Sequence, residues 1–359
     1  MTTDPALRLP AAELTGFAGV LFRAAGLAPA LADAVAASLV EADRIGHETH
    51  GLALVPKYLE ALRTGDMAAA GAHEVIRDTG PCLTWEGGRL PGAWLAGQAM
   101  DLAVARAARY GTCTVAIAGS YHMGALAVYL ERATQAGMMA MIASSTPSTA
   151  GVAPFGGTAS VMTPNPLAAG IPGSGDPVLL DISASITTKN KAIQYAEAGR
   201  RLPGQWLQDA EGRPSDDPAV AISGGGTLLP VGGADHGHKG YALGLLVEAL
   251  TQGLSGTGRV HRPTGTFTSI FLQVLDPACF AGALAFRAII DHLAQSCRES
   301  PPRPGGPTVR VPGDRAAQCR RASDAAGVPL SPEIVAALAA AAGPLGVALP
   351  AGLAQPATA

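Results

Sequence analysis

Residues 46–58 read Gly-His-Glu-Thr-His-Gly-Leu-Ala-Leu-Val-Pro-Lys-Tyr and set His47 and His50 three positions apart beside a glycine. Histidine is the side chain most easily tuned to give or take a proton near neutral pH. His122 sits in a similar setting, Ser-Tyr-His-Met-Gly, and His236 and His238 flank Gly237. Histidines gathered at element junctions suggest proton transfer or metal binding. His-Glu-Thr-His is one residue short of the His-Glu-x-x-His zinc arrangement. Asp235-His236-Gly237-His238 offers ligand types without a recognised spacing, and such a turn is as often simply solvated.

The elements around these residues follow from apolar spacing. Leu31, Val35, Leu39 and Val40 predict a helix over Pro29–Ile45. A second helix is expected from about Pro56, with Val55, Tyr58, Leu59 and Leu62 on one face and Gly65 as its stop. His47, Thr49 and His50 then occupy the link between two helices. Helices are also predicted over Gln98–Tyr110 and Gly124–Gln135, and strands over Cys113–Ala118, Met138–Ala143 and Val178–Ile182. Strands alternating with helices indicate an α/β layer. Ser144–Gly157 reads as a loop. Lys239–Leu254 reads as a buried helix. Pro277–Cys297, a stretch near Arg315–Ala325, and Pro332–Ala342 with Ser331 as its cap read as helices, separated by a Pro/Gly-rich loop over Arg298–Gly313. The expected division is a helical part over 1–75, an α/β part over 76–235, and a buried helix with more of the helical domain over 236–359.

Composition bounds the class. The 359 residues suit two domains or one core with a large insertion. Apolar residues make up 48% and charged residues 15%, which supports a sizeable core and opposes disorder. The 45 glycines favour tight turns and close backbone approach to ligands. A net charge of −3, with no basic run interleaved with aromatics, gives no reason to expect nucleic acid. Cys82, Cys113, Cys279, Cys297 and Cys319 are widely spaced without Cys-x-x-Cys, so buried reduced thiols are expected rather than a disulfide framework. Met-Thr-Thr-Asp-Pro at the start shows no signal peptide, and no apolar run is long enough to span a bilayer. A soluble cytoplasmic protein, with no membrane partner, is the expectation.

No Gly-x-Gly-x-x-Gly stands between a strand and a helix, and no Walker A sequence occurs. Residue rules alone therefore do not predict a dinucleotide site. The Ser144–Gly157 loop can cradle phosphates through backbone N–H groups or be a plain surface loop. His122, at the start of a predicted helix, is either a neutral proton acceptor disfavoured from charging by the dipole or a packed histidine. Lys239, at another helix start, either binds an anion or points into solvent.

Taken together, the pieces resemble the malate/L-lactate dehydrogenase family, a non-Rossmann group that also holds ureidoglycolate and sulfolactate dehydrogenases, diketogulonate reductase and Δ1-piperideine-2-carboxylate reductase. Gly46-His47-Glu48-Thr49-His50-Gly51 with Pro56-Lys57-Tyr58 is similar to that family's Gly-His-Asp-Ser-His-Gly…Pro-Arg-Tyr signature. The match continues in family order through Ser120–Gly124, Val152–Gly157, Asn165–Ala168, Leu180-Asp181 and Lys239–Leu243. The resemblance implies an α/β fold of non-Rossmann type, three layers α/β/α with a mixed sheet, plus a helical domain formed by both chain ends. It implies hydride transfer between NAD or NADP and C2 of a small 2-hydroxy or 2-oxo acid, or a cyclic imine carboxylate. It places the acid/base role on one of two histidines, matching His50 and His122, and substrate contacts on Thr49 and Tyr58. Cofactor contacts fall on Ser120, Thr146, Ser148, Asn165, Asp181, Ile182, Ser183 and Lys239, with no metal. The implied partners are a small-molecule carboxylate substrate and a second copy of the chain, as a homodimer.

The chain departs from the pattern at several points. Many members carry arginine four residues after the second histidine, suited to gripping a carboxylate; here that residue is Leu54, which points away from malate. Gly119 replaces a common asparagine. Thr163-Pro164 and Lys189-Asn190-Lys191 differ from the family where cofactor contacts are expected. The alternative reading is a protein of this fold that binds a metabolite with little or no redox activity.

Overall fold

The computed structural model describes residues 7–354; the opening segment read above for a leader lies outside them. The helix predicted over Pro29–Ile45 spans Pro29–Arg44 and buries Leu31, Val35, Leu39 and Val40. The next full helix, Val55–Thr64, carries Pro56 in its first turn. It ends at Gly65, whose φ of +74° is left-handed backbone that glycine adopts without a Cβ penalty. Two single 3-10 turns, Glu48–His50 and Leu52–Leu54, fill the link.

In chain order the strands are β1 (Leu7–Leu9), β2 (Glu74–Asp78), β3 (Cys82–Glu86), β4 (Thr112–Ser120), β5 (Met139–Ser145), β6 (Leu167–Ile171), β7 (Val178–Ile182), β8 (Leu207–Gln208), β9 (Pro214–Ser215), β10 (Thr227–Leu228), β11 (Thr268–Leu275) and β12 (Val328–Leu330). Seven of them form one sheet in the order β2-β3-β4-β11-β5-β6-β7. Only β3 and β4 pair in parallel; the other pairs are antiparallel, so the sheet is mixed. The helix Gly92–Tyr110 packs on one face, against β4 and β11. The π-helical turn Ala249–Gly253 that continues His238–Glu248 packs on β4, β5 and β11. Along β11, Ile270, Leu272 and Val274 join the large core, while Phe271 joins Ala143 and Val247. That period of two puts the helix Gly92–Tyr110 and the π turn on opposite faces, giving three layers.

The first and last strands pair. β1 pairs antiparallel with β12, Leu9 opposite Val328. Arg320 bonds Glu41 at 2.6 Å and Glu131 at 3.0 Å, and Arg44 bonds Asp324 at 2.7 Å, tying the helix Asp314–Ala326 to Pro29–Arg44. The expected cap is present: Ser331 accepts the Ile334 N–H at 3.4 Å before the helix Pro332–Ala342.

Four expectations change. The strand β11, in the middle of the sheet, was not among those expected. The segment predicted as one helix over Gly124–Gln135 is a 3-10 turn, Leu126–Tyr129, followed by the short helix Glu131–Gln135. The Tyr129 hydroxyl is committed to the Met123 carbonyl and lies 3.2 Å from Ser38 Oγ, which holds the entrance in a non-helical path. The helix from His238 is not buried: Leu245, Leu246 and Leu254 are each about half exposed. Of the five unbridged cysteines only Cys113 is buried, while Cys82, Cys279 and Cys297 are exposed.

Candidate active site

The strand directions explain where the chemistry gathers. The C-terminal ends of β4, β5 and β7 and the N-terminal ends of β6 and β11 all fall on one edge of the sheet. The link between the Pro29–Arg44 and Val55–Thr64 helices lies across that edge. Between them is a cleft of about 490 Å³, within the range of small-molecule sites. A hollow of about 540 Å³ near Ser174, Asp291 and Arg321 is larger but holds no histidine. The cleft has three, His47, His50 and His122, and is the chemically equipped site.

His50 and His122 face each other, with ring centroids 6.2 Å apart and planes inclined by 18°. His122 Nδ1 is 2.7 Å from the Tyr58 hydroxyl and receives the Gly124 N–H at 3.4 Å. A nitrogen that accepts an N–H is unprotonated, which assigns the ring proton of neutral His122 to Nε2. Burial, then the positive charge of Lys57 and the neighbouring His50, push His122 down to about 3. Burial, then His47 and Lys57, also lower His50. Both rings are therefore neutral at neutral pH. For His122 the cause is enclosure, not a helix dipole as its sequence setting suggests, because no helix begins at it. His50 Nδ1 is 2.9 Å from Thr49 Oγ1, which leaves Nε2 as its other ring nitrogen.

The link is held from below by Asp43. This 3 % exposed carboxyl accepts the Leu52 N–H at 2.8 Å through Oδ2, while Oδ1 has no partner among the described residues. Burial raises its pKa to about 7, against the hydrogen bond from Leu52. Gly51 lies directly over it; a Cβ there would stand 1.9 Å from Asp43 Oδ1. Only glycine permits that approach.

The sequence-predicted residues divide into three groups. Thr49, His50, His122, Thr146, Asp181, Ile182 and Ser183 line the cleft. Asp181 accepts the Ala127 N–H at 3.0 Å; burial raises its pKa, opposed by the charge of His47 and the backbone N–H groups of Ala127 and Leu126. Tyr58, Ser120 and Asn165 stand behind the wall. Tyr58 is buried against His122, and burial raises its phenol well above the ordinary value, so it stays protonated. Ser120 donates to the Tyr121 carbonyl at 2.7 Å. Asn165, with φ of +47°, accepts from Thr163 Oγ1 at 2.7 Å and donates to Gly244 O at 3.1 Å and Glu248 Oε1 at 3.0 Å. Lys239 is exposed and lies outside the cleft lining, and Ser148 is also outside it.

His47, which the resemblance left without a role in the chemistry, also lines the cleft. Thr163, Lys189 and Asn190 also line it; their departures from the family pattern were the signal available. The loop after β5 is fixed by Arg259, which donates to the Pro147 and Thr149 carbonyls and pairs with Glu248 at 2.9 Å. In that loop Ser148 Oγ is enclosed without a hydrogen-bond partner among the described residues. An orphaned hydroxyl beside a cleft rich in threonine and serine, with Lys189 on its wall, fits a polar, anionic cofactor. Among the described residues no three His, Cys, Asp or Glu side chains group closely enough to hold a metal ion.

The fold is a three-layer arrangement around a mixed sheet, and the sheet edge carries a polar cleft with two facing histidines. Comparison with known proteins gives the family. The sequence profile described as malate/L-lactate dehydrogenase matches residues 9–339. The chain is 34% identical over 303 residues to an L-lactate dehydrogenase of Cupriavidus necator, covering 82% of this chain and 86% of that one. It is 32% identical over 353 residues to a Δ1-pyrroline-2-carboxylate reductase of Ancylobacter novellus, covering 94% and 98%. The crystal structure of Δ1-piperideine-2-carboxylate reductase from Pseudomonas syringae superposes with a TM-score of 0.81 at 26% identity, covering 93% of this chain and 99% of that one. The chain belongs to the malate/L-lactate dehydrogenase family and is an oxidoreductase.

Proposed function

We propose that this oxidoreductase transfers hydride between NAD or NADP and C2 of a small 2-hydroxy or 2-oxo acid, or a cyclic imine carboxylate, other than malate. The observation that carries the reading is the facing pair His50 and His122, both kept neutral, at the sheet edge. Relatives named as a lactate dehydrogenase and a pyrroline-2-carboxylate reductase bracket the substrate chemistry. One sulfolactate dehydrogenase relative is named for NADP(+), in keeping with a nicotinamide cofactor.

When bound, the nicotinamide supplies or receives the hydride. Asp181, Ile182, Ser183 and Thr146 line the cleft where it would be held, with Ser148 behind them. The remaining task is a proton at the C2 oxygen or imine nitrogen. His122, with Nε2–H fixed by Tyr58 and Gly124, donates a hydrogen bond to that atom. His50 exchanges the proton: the larger depression falls on His122, so of the two rings His50 charges first. The rings repel when both are charged, so the pair holds at most one added proton. Thr49 orients His50 through Nδ1.

We also read the protein as a homodimer. Phe280, Leu284, Ile289 and Leu293 are exposed in and beside the helix Ala283–Glu299, and Leu245, Leu246 and Leu254 on the helix from His238. Light scattering at twice the 36.0 kDa chain mass would support it. Unbridged cysteines fit a cytoplasmic location, and no helix among the described residues is long and apolar enough to cross a membrane.

The decisive experiment is a fluorescence titration with NADH and NADPH, followed by turnover on a panel of 2-oxo acids and cyclic imine carboxylates. Binding of neither nucleotide sinks the redox reading. Nucleotide binding without turnover of any panel member points to a metabolite-binding protein instead.

A further inference from the structure

Thr268 opens β11, the strand at the middle of the sheet, opposite Ser120 of β4. The next residue, Ser269, stands opposite Ser145 of β5. Thr268 thus sits between the strand that leads into His122 and the strand that leads into the Thr146–Thr149 loop. It lines the cleft, is only 3 % exposed, and its Oγ1 has no hydrogen-bond partner among the described residues. Buried polar atoms are almost always paired, and an unpaired hydroxyl destabilises the fold that holds it. Valine has the same shape without that cost. The neighbouring buried hydroxyls are satisfied: Ser120 by the Tyr121 carbonyl, Ser145 by Thr251 at 2.7 Å. A hydroxyl left idle at the floor of a reaction cleft needs a partner that arrives with the ligand.

We infer that Thr268 is a ligand-binding residue whose hydroxyl hydrogen-bonds an sp² oxygen of the bound pair, either the carboxamide of the nicotinamide or the carboxylate of the substrate. This rests on the redox reading above. The hydroxyl is screened in the free protein, so the assignment requires a change of χ1 rotamer when the ligand binds. A threonine can both donate and accept, which suits either oxygen and the amide N–H beside the first.

The test is Thr268→Val in the full-length chain. The expected result is a pair of opposite effects: the melting temperature of the ligand-free protein rises by roughly 2 °C, and ligand binding weakens by roughly 3- to 10-fold. Loss in the binary Kd for NADH or NADPH assigns the carboxamide; loss only in KM for the 2-oxo acid, with the binary Kd unchanged, assigns the carboxylate. Unchanged Kd and KM overturn the inference, whatever the melting temperature does. If both stability and binding fall, Thr268→Ser decides, since it keeps the hydroxyl and loses the methyl: restored binding supports the assignment, and no restoration overturns it. If the wild-type chain binds neither nucleotide, it is the redox reading that fails.

Discussion

The Tyr58 hydroxyl stands 2.7 Å from Nδ1 of His122, behind the wall of the cleft, on a side chain buried in the core. It fixes the ring from behind, and so fixes which nitrogen faces the ligand. Tyr58→Phe keeps the ring that packs on Tyr121 at 5.3 Å but removes the hydroxyl. We expect kcat to fall about 10-fold with KM little changed, because one hydrogen bond of roughly 1.5 kcal/mol to the reacting ring is lost. Steady-state kinetics check this; an unchanged kcat would mean that Gly124 and packing orient His122 unaided.

Both histidines have pKa values below the ordinary 6.5. Oxidation of a hydroxy acid needs the unprotonated base, so its rate should hold steady as pH falls through 6.5 and decline only at lower pH. An acid limb centred at or above 6.5 would contradict the assignment. His50→Ala and His122→Ala should each lower turnover by at least about 10²-fold. Near-normal rates in both would remove them from the chemistry.

Asp43 and His122 pull stability in opposite directions with pH. His122 is protonated at 6.5 when unfolded but at about 3 when folded. The unfolded chain binds more protons in that window, so this group costs stability as pH falls below 6.5. Asp43 ionises at 3.8 when unfolded and about 7 when folded, so it costs stability as pH rises from 3.8 to 7. Asp43→Asn removes only the second effect. Relative to the wild type, the variant should gain a few kcal/mol between pH 4 and pH 8, at about 1.4 kcal/mol per pKa unit. Urea unfolding at the two pH values measures it; a stability difference independent of pH would mean that Asp43 is ionised in the folded chain throughout.

Much of this site was legible because local signals agreed with tertiary demands. Pro56 and Gly65 bracket a helix, Ser331 and Pro332 start one, and the run Val178–Ile182 is β7 itself. What failed was decided by distant contacts. β11 is buried on both faces, so it shows no polar alternation, and its place between β4 and β5 is set by chain far away. The apolar surface of the helix from His238 reads as buried, but Leu245, Leu246 and Leu254 on one side of it stay half exposed among the described residues. Thr268 and Asp43 carry no pattern of their own. They matter only because the sheet edge and the link over Gly51 bring them to one place.

Leu54 stands where the sequence resemblance leads one to expect a carboxylate-gripping arginine. It is 8 % exposed, belongs to the main core and does not line the cleft. Its 3-10 turn packs against the C-terminal helix Pro332–Ala342. The missing arginine is thus a repacked wall and not a vacancy in the binding surface. Leu54→Arg should bury a guanidinium without a carboxylate and cost roughly 2–4 kcal/mol, with no gain in turnover of oxaloacetate. Thermal unfolding and a comparison of kcat/KM for oxaloacetate and pyruvate check the two halves. An unaltered melting temperature with a 10-fold gain for oxaloacetate would show that residue 54 reaches the substrate after all, and that malate chemistry is one substitution away.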